Sequence, residues 1–213
     1  MPRMPEAERL YALTEIERGL WAQPDILLAG MDEVGRGPLA GPVVAACVVL
    51  PQMPLISYVN DSKKLTPQRR EFLCEKIKEQ ALCYSFGWLA PEVIDEINIL
   101  QATRRAFCMA FEGLALPVTD VLVDAIKDLP ICARQHAYIH GDAMSYLIAA
   151  ASIIAKVERD RYMCEQDAIY PEYGFARHKG YGTPEHIAAL KKYGPCPLHR
   201  RSFIGGILGG SNG

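Results

Sequence analysis

The segment from Gly30 to Val44 restricts the possible folds of this chain more than any other. It places the adjacent carboxylates of Asp32 and Glu33, followed by Gly35-Arg36-Gly37, between two apolar runs rich in aliphatic and β-branched residues. Such runs predict buried strands, here joined as a hairpin. Unpaired charges are excluded from a strand core, so these carboxylates lie at its rim. Carboxylates in that position are typical metal ligands, and backbone flanked by glycines can approach a phosphate or a sugar closely.

Alternating apolar patterns predict a mixed α/β sheet with helices packed on its faces. We expect a helical extension over residues 1–24, a central α/β domain over 25–170, and a helical C-terminal region over 171–213 whose glycine-rich tail is flexible from Gly205 onward. The predicted strands cover residues 25–33, 42–50, 83–89, 121–124 and 138–140, and the predicted helices cover 5–21, 67–81, 98–114, 145–168 and a segment after Thr183.

Carboxylates recur where the predicted strands end. Asp32 and Glu33 end the first strand, Asp124 ends a later one, and Asp142 follows the last. A single such aspartate is usually a turn or capping residue, and Asp142 is also placed to cap the next helix. Neighbouring strands would bring all four together, and at an effective dielectric of about 20 each close pair would cost roughly several kcal/mol. Oxygen ligands without a Cys/His cluster favour Mg²⁺ or Mn²⁺ as the compensating ion.

The adjacent pair Asp32 and Glu33 raises a geometric question. Successive side chains of a regular strand point to opposite faces of the sheet. Both carboxylates can therefore serve one site only if the chain bends, for which Gly35 and Gly37 give room, or if one residue contributes its backbone carbonyl.

Composition narrows the class of protein and its compartment. The formal net charge of −2 excludes a uniformly basic surface, although local basic clusters remain. Seven cysteines without a C-x-x-C pair are typical of a reducing compartment. The N-terminus carries glutamates rather than a basic leader, and no apolar run reaches the roughly 20 residues that span a bilayer. We expect a soluble cytoplasmic protein that does not bind membranes, with a monomer as the default.

Ordered motifs run from about residue 27 to residue 204. They are Gly30–Gly41, Asn60–Leu65, Val123-Asp124, Gly141-Asp142, Ala149–Val157 with Arg159-Asp160-Arg161, Tyr173–Thr183 and His199–Phe203. Their residues and order resemble those of bacterial ribonuclease HII, a type 2 ribonuclease H. The number of matches in sequence makes a chance resemblance untenable.

The resemblance implies a ribonuclease H-like fold and a metal-dependent endonuclease. The implied activity is hydrolysis of the RNA strand of RNA/DNA hybrids and a cut 5′ of single ribonucleotides embedded in duplex DNA, which leaves 3′-hydroxyl and 5′-phosphate ends. Such an enzyme serves DNA replication and repair. By their motifs, Asp32, Glu33, Asp124 and Asp142 correspond to the catalytic metal ligands. Two Mg²⁺ or Mn²⁺ ions held there would activate water and stabilise the leaving oxygen.

The same resemblance assigns substrate contacts. The backbone of Gly35-Arg36-Gly37 corresponds to a segment that contacts the 2′-hydroxyl, which is the local mark of RNA. Tyr181 corresponds to a tyrosine that stacks on the sugar beside the RNA-to-DNA junction. Basic and polar side chains near helix ends are expected to hold phosphates of the nucleic acid. These are Ser62, Lys63, Lys64, Arg177, Lys179, Arg200 and Arg201.

Two residues depart from the family pattern. Ala125 stands where the family usually has glycine, which adds a methyl group beside a proposed ligand. Met144 stands where a basic residue is common, so a positive charge near Asp142 is lost. Neither change removes a ligand. They leave open an alternative, a nucleic-acid-binding repair factor with weak or no nuclease activity.

A nucleotide-binding dehydrogenase is a further alternative suggested by the glycines at 35, 37 and 41. Their spacing differs from G-x-G-x-x-G, and Pro38 removes an amide needed near a pyrophosphate. The sequence therefore disfavours that class.

Overall fold

The computed structural model describes residues 4–209, and its centre is a five-stranded mixed sheet. The strands lie in the order β3-β2-β1-β4-β5. β1 pairs antiparallel with β2 and parallel with β4, so the hairpin and the parallel strands meet at β1. Their bounds are Leu28–Val34 (β1), Val43–Val49 (β2), Cys83–Leu89 (β3), Asp120–Asp124 (β4) and Arg134–Tyr138 (β5). The predicted mixed α/β fold is confirmed.

Helices cover both faces of this sheet and account for the two main hydrophobic cores. One core lies between the sheet and a long central helix, and the other lies between the sheet and the helix that follows β3. The bounds are Glu6–Leu13 (α1), Glu15–Trp21 (α2), Pro67–Gln80 (α3), Pro91–Glu112 (α4), Tyr146–Ile169 (α5), Phe175–His178 (α6), Pro184–Tyr193 (α7) and Arg201–Leu208 (α8), with 3₁₀ turns at Ser62–Lys64 and Gly141–Ala143.

The central helix α5 approaches β1 unusually closely. A Cβ atom built on Gly30 would lie 2.2 Å from the backbone carbonyl carbon of Leu147. Only glycine permits this approach, since any side chain would push α5 away from the sheet. The glycine that precedes the carboxylate pair therefore fixes the distance between β1 and the helix that packs behind the carboxylates.

Hydroxyl side chains cap the start of several helices, and Ser145 rather than the expected Asp142 caps α5. The side chains of Thr66, Ser145 and Thr183 each accept a hydrogen bond from a backbone amide in the first turn of α3, α5 and α7. The helix α4 begins at Pro91, earlier than the expected residue 98. Asn98, with φ of +67°, kinks the helix, so the apolar pattern reveals only the part after the kink.

Other boundaries differ from expectation. The N-terminal helix is broken at Thr14, whose ψ of 13° and non-helical cap geometry separate α1 from α2. The last strand ends at Tyr138, so the predicted strand residues Ile139 and His140 lie in the turn that follows. Gly205 and Gly206, which were expected in a flexible tail, lie inside α8, and residues 210–213 of that tail fall outside the described part. Within residues 4–209 no helix is both long and apolar enough to cross a membrane.

The helix α2 reaches the start of α5 through a buried carboxylate. Glu17 is fully buried and accepts hydrogen bonds from the Ser145 hydroxyl at 2.5 Å and the Leu147 amide at 2.9 Å. A negative charge at a helix N-terminus is favourable, but burial of the carboxylate opposes ionisation. Burial accordingly raises the pKa of Glu17, against the opposing hydrogen bond from Ser145.

The raised pKa of Glu17 makes its contribution to the stability of the fold decrease as pH rises. A carboxyl whose pKa is raised on folding stabilises the fold most below its unfolded value of 4.5, and this contribution is lost as pH rises through the folded-state pKa. Glu17→Gln removes the titration while keeping a carbonyl acceptor. We expect the unfolding free energy of the wild type, relative to the variant, to fall as pH rises from 4.5 in urea titrations. Parallel pH curves for the two proteins would contradict this expectation.

Candidate active site

Three aspartates converge at one edge of the sheet. Met31 lies opposite Val123 in the parallel register, so Asp32 and Asp124, which come next, are neighbours on the same face. Asp142 lies in the 3₁₀ turn that follows β5. One carboxylate oxygen from each of the three lies within 4.8 Å of the others. The sequence prediction that separate strand ends bring these residues together is thus matched by the geometry.

Backbone and side-chain donors hold the three carboxylates in place. The Gly141 amide donates to Oδ1 of Asp124 at 2.9 Å, which ties the end of β4 to the turn that carries Asp142. The Glu33 amide donates to Oδ1 of Asp32 at 2.8 Å. The ammonium of Lys63 lies 3.1 Å from Oδ2 of Asp142. Lys63 thereby supplies a positive charge directly at the cluster, on a side chain that is otherwise exposed.

Glu33 lies beside the three aspartates without joining their oxygen cluster. Its position on β1 directs it to the opposite face from Asp32, as strand alternation requires. Its Oε1 is 3.4 Å from the Arg36 guanidinium, and its Oε2 is buried without a hydrogen-bond partner among residues 4–209. A buried unpaired carboxylate oxygen is costly. The expected bend at the glycines does not bring Glu33 into the cluster in this structure.

The carboxylates destabilise one another at this edge. Burial raises the pKa of Asp32 well above its ordinary value, and the charge of Glu33 raises it further. Burial also raises the pKa values of Glu33 and Asp124. A hard divalent cation compensates such a set of oxygen donors. The oxygens of the three converging aspartates fit that ion and would hold it, and Glu33, whose unpaired oxygen lies outside their cluster, is a further predicted ligand.

The cost of this clustering predicts a stabilising substitution. Asp32→Asn removes one buried charge but keeps an acceptor for the Glu33 amide. We expect the unfolding free energy of the metal-free protein in EDTA to rise by about 1 kcal/mol, a gain common when a strained functional site is relieved. Thermal denaturation with and without Mg²⁺ measures it, and the variant should gain less stability from Mg²⁺ than the wild type. A less stable variant in EDTA would show that the charge is not destabilising.

The glycine loop between β1 and β2 lies next to the cluster. Gly35 has φ of +91°, and a Cβ atom there would lie 2.3 Å from Nε of Arg159, so only glycine fits. A Cβ atom on Gly37 would meet only Cε1 of Tyr181, at 4.0 Å. The glycine loop and Tyr181, which the sequence predicts as substrate contacts, are therefore neighbours in space.

Tyr181 lies on a second loop that is bonded to the glycine loop. The amide of Leu39 donates to the Gly180 carbonyl at 2.8 Å, and the Tyr181 carbonyl lies 2.9 Å from Nδ1 of His186. The Tyr181 side chain is 42% exposed. A fixed backbone with an exposed ring is the arrangement a stacking residue needs, unlike that of a buried core tyrosine.

The basic residues predicted to hold phosphates divide into different environments. Arg177 and Arg201 carry exposed side chains. Lys179 lies in a cleft of about 800 Å³ beside Tyr181, and its ammonium contacts Sγ of Cys164 at 3.1 Å. The exposed head of Lys64 lies 3.9 Å from Asp61. Arg177 and Lys179 line the same cleft as Tyr181.

Two of the predicted phosphate contacts are placed differently. The Ser62 hydroxyl is buried and pairs with the Ser152 hydroxyl at 2.9 Å, so it faces α5 rather than solvent. The prediction for Arg200 is wrong, because its side chain is fully buried and donates to the carbonyls of Gly35, Arg36 and Gly41. Its charge supports the glycine loop from inside.

Sequence reasoning also missed the role of Arg159. Its position in Arg159-Asp160-Arg161 on a helix predicts an ion pair, yet its buried guanidinium donates to the carbonyls of Pro42, Ala40 and Lys179. It therefore joins the glycine loop to the loop that carries Tyr181. The signal available was an arginine on the inward face of α5, next to Ala155 and the buried Val157.

The two departures from the family pattern have different surroundings. Ala125 has φ of +55°, the left-handed region that glycine adopts without strain, directly after Asp124. Its methyl group therefore carries a backbone cost next to a proposed ligand. Met144 is 49% exposed and directly follows the turn that carries Asp142, where its side chain supplies no positive charge.

Comparisons with known proteins agree with this fold. The structure resembles the crystal structure of ribonuclease H2 from Pyrococcus horikoshii OT3, with a TM-score of 0.72, 32% identity, and coverage of 85% of this chain and 97% of that chain. It also shares the fold of Bst-RNase HIII, solved in complex with Mn²⁺, with a TM-score of 0.63, 16% identity, and coverage of 94% of this chain and 71% of that chain. The fold and the site define a metal-dependent nuclease with a ribonuclease H-like fold.

Sequence comparison gives the family. Residues 29–205 match the family described as Ribonuclease HII. A ribonuclease HII from Ruminiclostridium cellulolyticum is 52% identical over 199 residues, which cover 93% of this chain and 78% of the relative. A second, from Caldicellulosiruptor bescii, is 50% identical over 206 residues, which cover 97% of this chain and 98% of the relative. The chain belongs to the ribonuclease HII family, and it has ribonuclease H endonuclease activity on RNA/DNA.

Proposed function

We propose that this protein cuts the RNA strand of RNA/DNA hybrids and also cuts 5′ of a single ribonucleotide embedded in duplex DNA. The observation that carries the proposal is the proximity of two sites. The aspartate cluster of Asp32, Asp124 and Asp142 adjoins the glycine loop, which lies against Tyr181. A nuclease needs only the first of these, whereas a nuclease that selects one ribose in DNA needs both.

The carboxylates supply the hydrolytic part of the proposal. Asp32, Glu33, Asp124 and Asp142 would hold two Mg²⁺ or Mn²⁺ ions, which when bound activate water and stabilise the leaving 3′-oxygen. Asp124 and Asp142 are held by the Gly141 turn, so their spacing is set before substrate binds. Lys63 lies at the exposed side of Asp142, where it can attract a phosphate. The Mn²⁺ in the complex of Bst-RNase HIII supports a divalent ion without choosing between the two.

The glycine loop supplies the recognition of ribose. The 2′-hydroxyl is both a donor and an acceptor, and it distinguishes RNA from DNA at one nucleotide. Backbone at Gly35-Arg36-Gly37 can approach a sugar closely because it presents no bulky side chain at Gly37. The exposed ring of Tyr181 would stack on the adjacent deoxyribose, where an added hydroxyl would clash. This arrangement favours a cut at the junction from RNA to DNA.

Exposed basic side chains would track the nucleic-acid backbone. Lys63 lies at Asp142, with Lys64 next to it in the chain, Arg177 and Lys179 line the cleft that holds Tyr181, and Arg201 is exposed. Contacts to phosphates carry affinity rather than sequence preference, which suits an enzyme that removes ribonucleotides wherever they occur. We infer a monomer acting in the cytoplasm in DNA replication and repair.

Three otherwise identical duplexes test the proposal: all-DNA, DNA with one ribonucleotide, and an RNA/DNA hybrid. Each is incubated with Mg²⁺, Mn²⁺ or EDTA, and the ends are mapped. We expect metal-dependent cutting of both ribose-containing duplexes, with 3′-hydroxyl and 5′-phosphate ends, and none of all-DNA. Cutting of the hybrid alone would overturn the single-ribonucleotide activity. Binding without cutting would favour the alternative of a repair factor without nuclease activity.

A further inference from the structure

The guanidinium of Arg200 is buried beneath the glycine loop without a carboxylate partner among the described residues. Its Nη2 donates to the Gly35 carbonyl at 2.6 Å and to the Gly41 carbonyl at 2.8 Å, and its Nη1 donates to the Arg36 carbonyl at 3.0 Å. Its Nε also donates to Gly41, at 3.0 Å. Backbone carbonyls of one loop therefore accept four hydrogen bonds from this guanidinium and offset part of the cost of its burial.

These contacts determine where the amides of the loop point. In a planar trans peptide the C=O and the following N–H point in opposite directions. Since Arg200 holds the carbonyls of Gly35 and Arg36 inward, the amides of Arg36 and Gly37 point outward. Both residues are exposed, and within residues 4–209 neither amide has a hydrogen-bond acceptor. Two unpaired donors thus face the surface beside Tyr181.

We propose that Arg200 is a positioning residue for ribose recognition: it holds two peptide planes so that the amides of Arg36 and Gly37 meet the 2′-hydroxyl. This assignment rests on the proposed function, and it explains why a charged residue is buried where an apolar one would pack. Arg159 likewise holds backbone carbonyls of the neighbouring loop segments, since its guanidinium donates to the carbonyls of Ala40 and Lys179. The two guanidiniums fix the amides relative to Tyr181.

The chemistry requires arginine rather than a generic cation. A guanidinium offers five donors in a rigid fork, and four hydrogen bonds here reach three carbonyls of the loop. An ammonium is a compact charge with three donors on a flexible stem. Arg200→Lys therefore keeps the charge but releases at least one peptide plane.

Binding measured in EDTA, where metal-dependent cutting cannot occur, tests the assignment. The affinities of the wild type and Arg200→Lys are compared for a duplex with one ribonucleotide and for the same duplex in all-DNA form. We expect Arg200→Lys to reduce the preference for the ribonucleotide by about tenfold, the value of roughly one hydrogen bond. The affinity for all-DNA should stay within about twofold of the wild type.

The neighbouring Arg201→Gln is a matched control. Its side chain is exposed, so its loss should weaken binding of both duplexes equally and leave the preference unchanged. If Arg200→Lys behaves in this way, or keeps the wild-type preference, the positioning role is overturned. A wild-type protein without any preference overturns the proposed recognition of single ribonucleotides, and the assignment with it.

If Arg200→Lys does not fold, NMR of the wild-type protein tests the positioning role of Arg200 instead. In ¹⁵N-labelled wild-type protein, the amide signals of Arg36 and Gly37 and the Nε–H signal of Arg200 should shift on addition of the ribonucleotide duplex. They should shift much less with all-DNA. Equal shifts with both duplexes, or shifts of the amides without Arg200, would overturn the proposal.

Discussion

Asp124→Asn should abolish metal-dependent cutting while leaving the fold intact. The substitution keeps an oxygen acceptor for the Gly141 amide, which ties β4 to the turn that carries Asp142. It removes the negative charge that a divalent cation requires at the centre of the cluster. Since removing a single electrostatic group from an active site typically costs 10²–10³ in rate, we expect a fall of about 10³-fold or more in kcat on both ribose-containing duplexes.

Thermal denaturation separates a lost ligand from a lost fold. Mg²⁺ should raise the Tm of the wild type, because an ion that binds only the folded state stabilises it by about 2.7 kcal/mol at 100 times its Kd. Asp124→Asn should lose most of this increase, while its Tm in EDTA equals or exceeds that of the wild type. Removal of a charge whose pKa is raised by burial accounts for the direction in EDTA.

Asp120→Asn is the matched control on the same strand. Asp120 lies at the other end of β4, buried, and pairs with Arg134 at 3.0 Å and His136 at 2.9 Å. These partners outweigh its burial and lower its pKa, so its charge stabilises the fold. We expect the control to lower Tm and retain cutting. Cutting by Asp124→Asn at wild-type rates would remove Asp124 from the site.

The carboxylate cluster could be predicted from sequence because strand ends are visible in the apolar pattern. Asp32 and Asp124 end runs whose length and composition define strands, and parallel neighbours bring their ends together. The position of Glu33 could not be settled in the same way. Strand alternation separates it from Asp32, and whether the chain bends enough depends on packing on the far face, which no local pattern records.

The prediction that Arg200 contacts a phosphate is wrong for a physical reason. A basic residue in the run His199-Arg200-Arg201 reads as surface charge, because guanidiniums are rarely buried without a carboxylate. The partners of this one are carbonyls from a loop more than 150 residues away in sequence, as the separation of 165 between Arg200 and Gly35 illustrates. Backbone acceptors leave no mark in the sequence, so an interaction of this type escapes motif analysis.

The sequence misplaces two helix boundaries because local residue preferences do not record tertiary packing. Asn98 adopts φ of +67° inside α4, so the apolar periodicity restarts there and the first turns of the helix are hidden. Gly205 and Gly206 have low intrinsic helix propensity, yet they lie in α8 beside the buried Ile204. In both cases tertiary packing outweighs the preference of the local sequence.

Gly35→Ala should have the second large effect, on stability and on activity together. A Cβ atom there would lie 2.3 Å from Nε of Arg159 and 2.7 Å from the Pro42 carbonyl, and the residue has φ of +91°. Overpacking costs about 1–3 kcal/mol and a left-handed alanine roughly 1–2 more. We expect the unfolding free energy to fall by about 3 kcal/mol, measured by urea denaturation. Displacement of Arg159 would also separate the glycine loop from Tyr181.

Gly37→Ala distinguishes the recognition surface from the support beneath it. Its Cβ atom would meet only Cε1 of Tyr181, at 4.0 Å, and its backbone is outside the left-handed region. The unfolding free energy should therefore change by less than about 0.5 kcal/mol. The added methyl narrows the space between the loop and the tyrosine, where the ribose is proposed to lie, so cutting at a single ribonucleotide should fall by about tenfold or more. If Gly37→Ala cuts like the wild type, the ribose does not lie between this loop and Tyr181. If Gly35→Ala is as stable as the wild type, Arg159 is free to move and does not hold the loop.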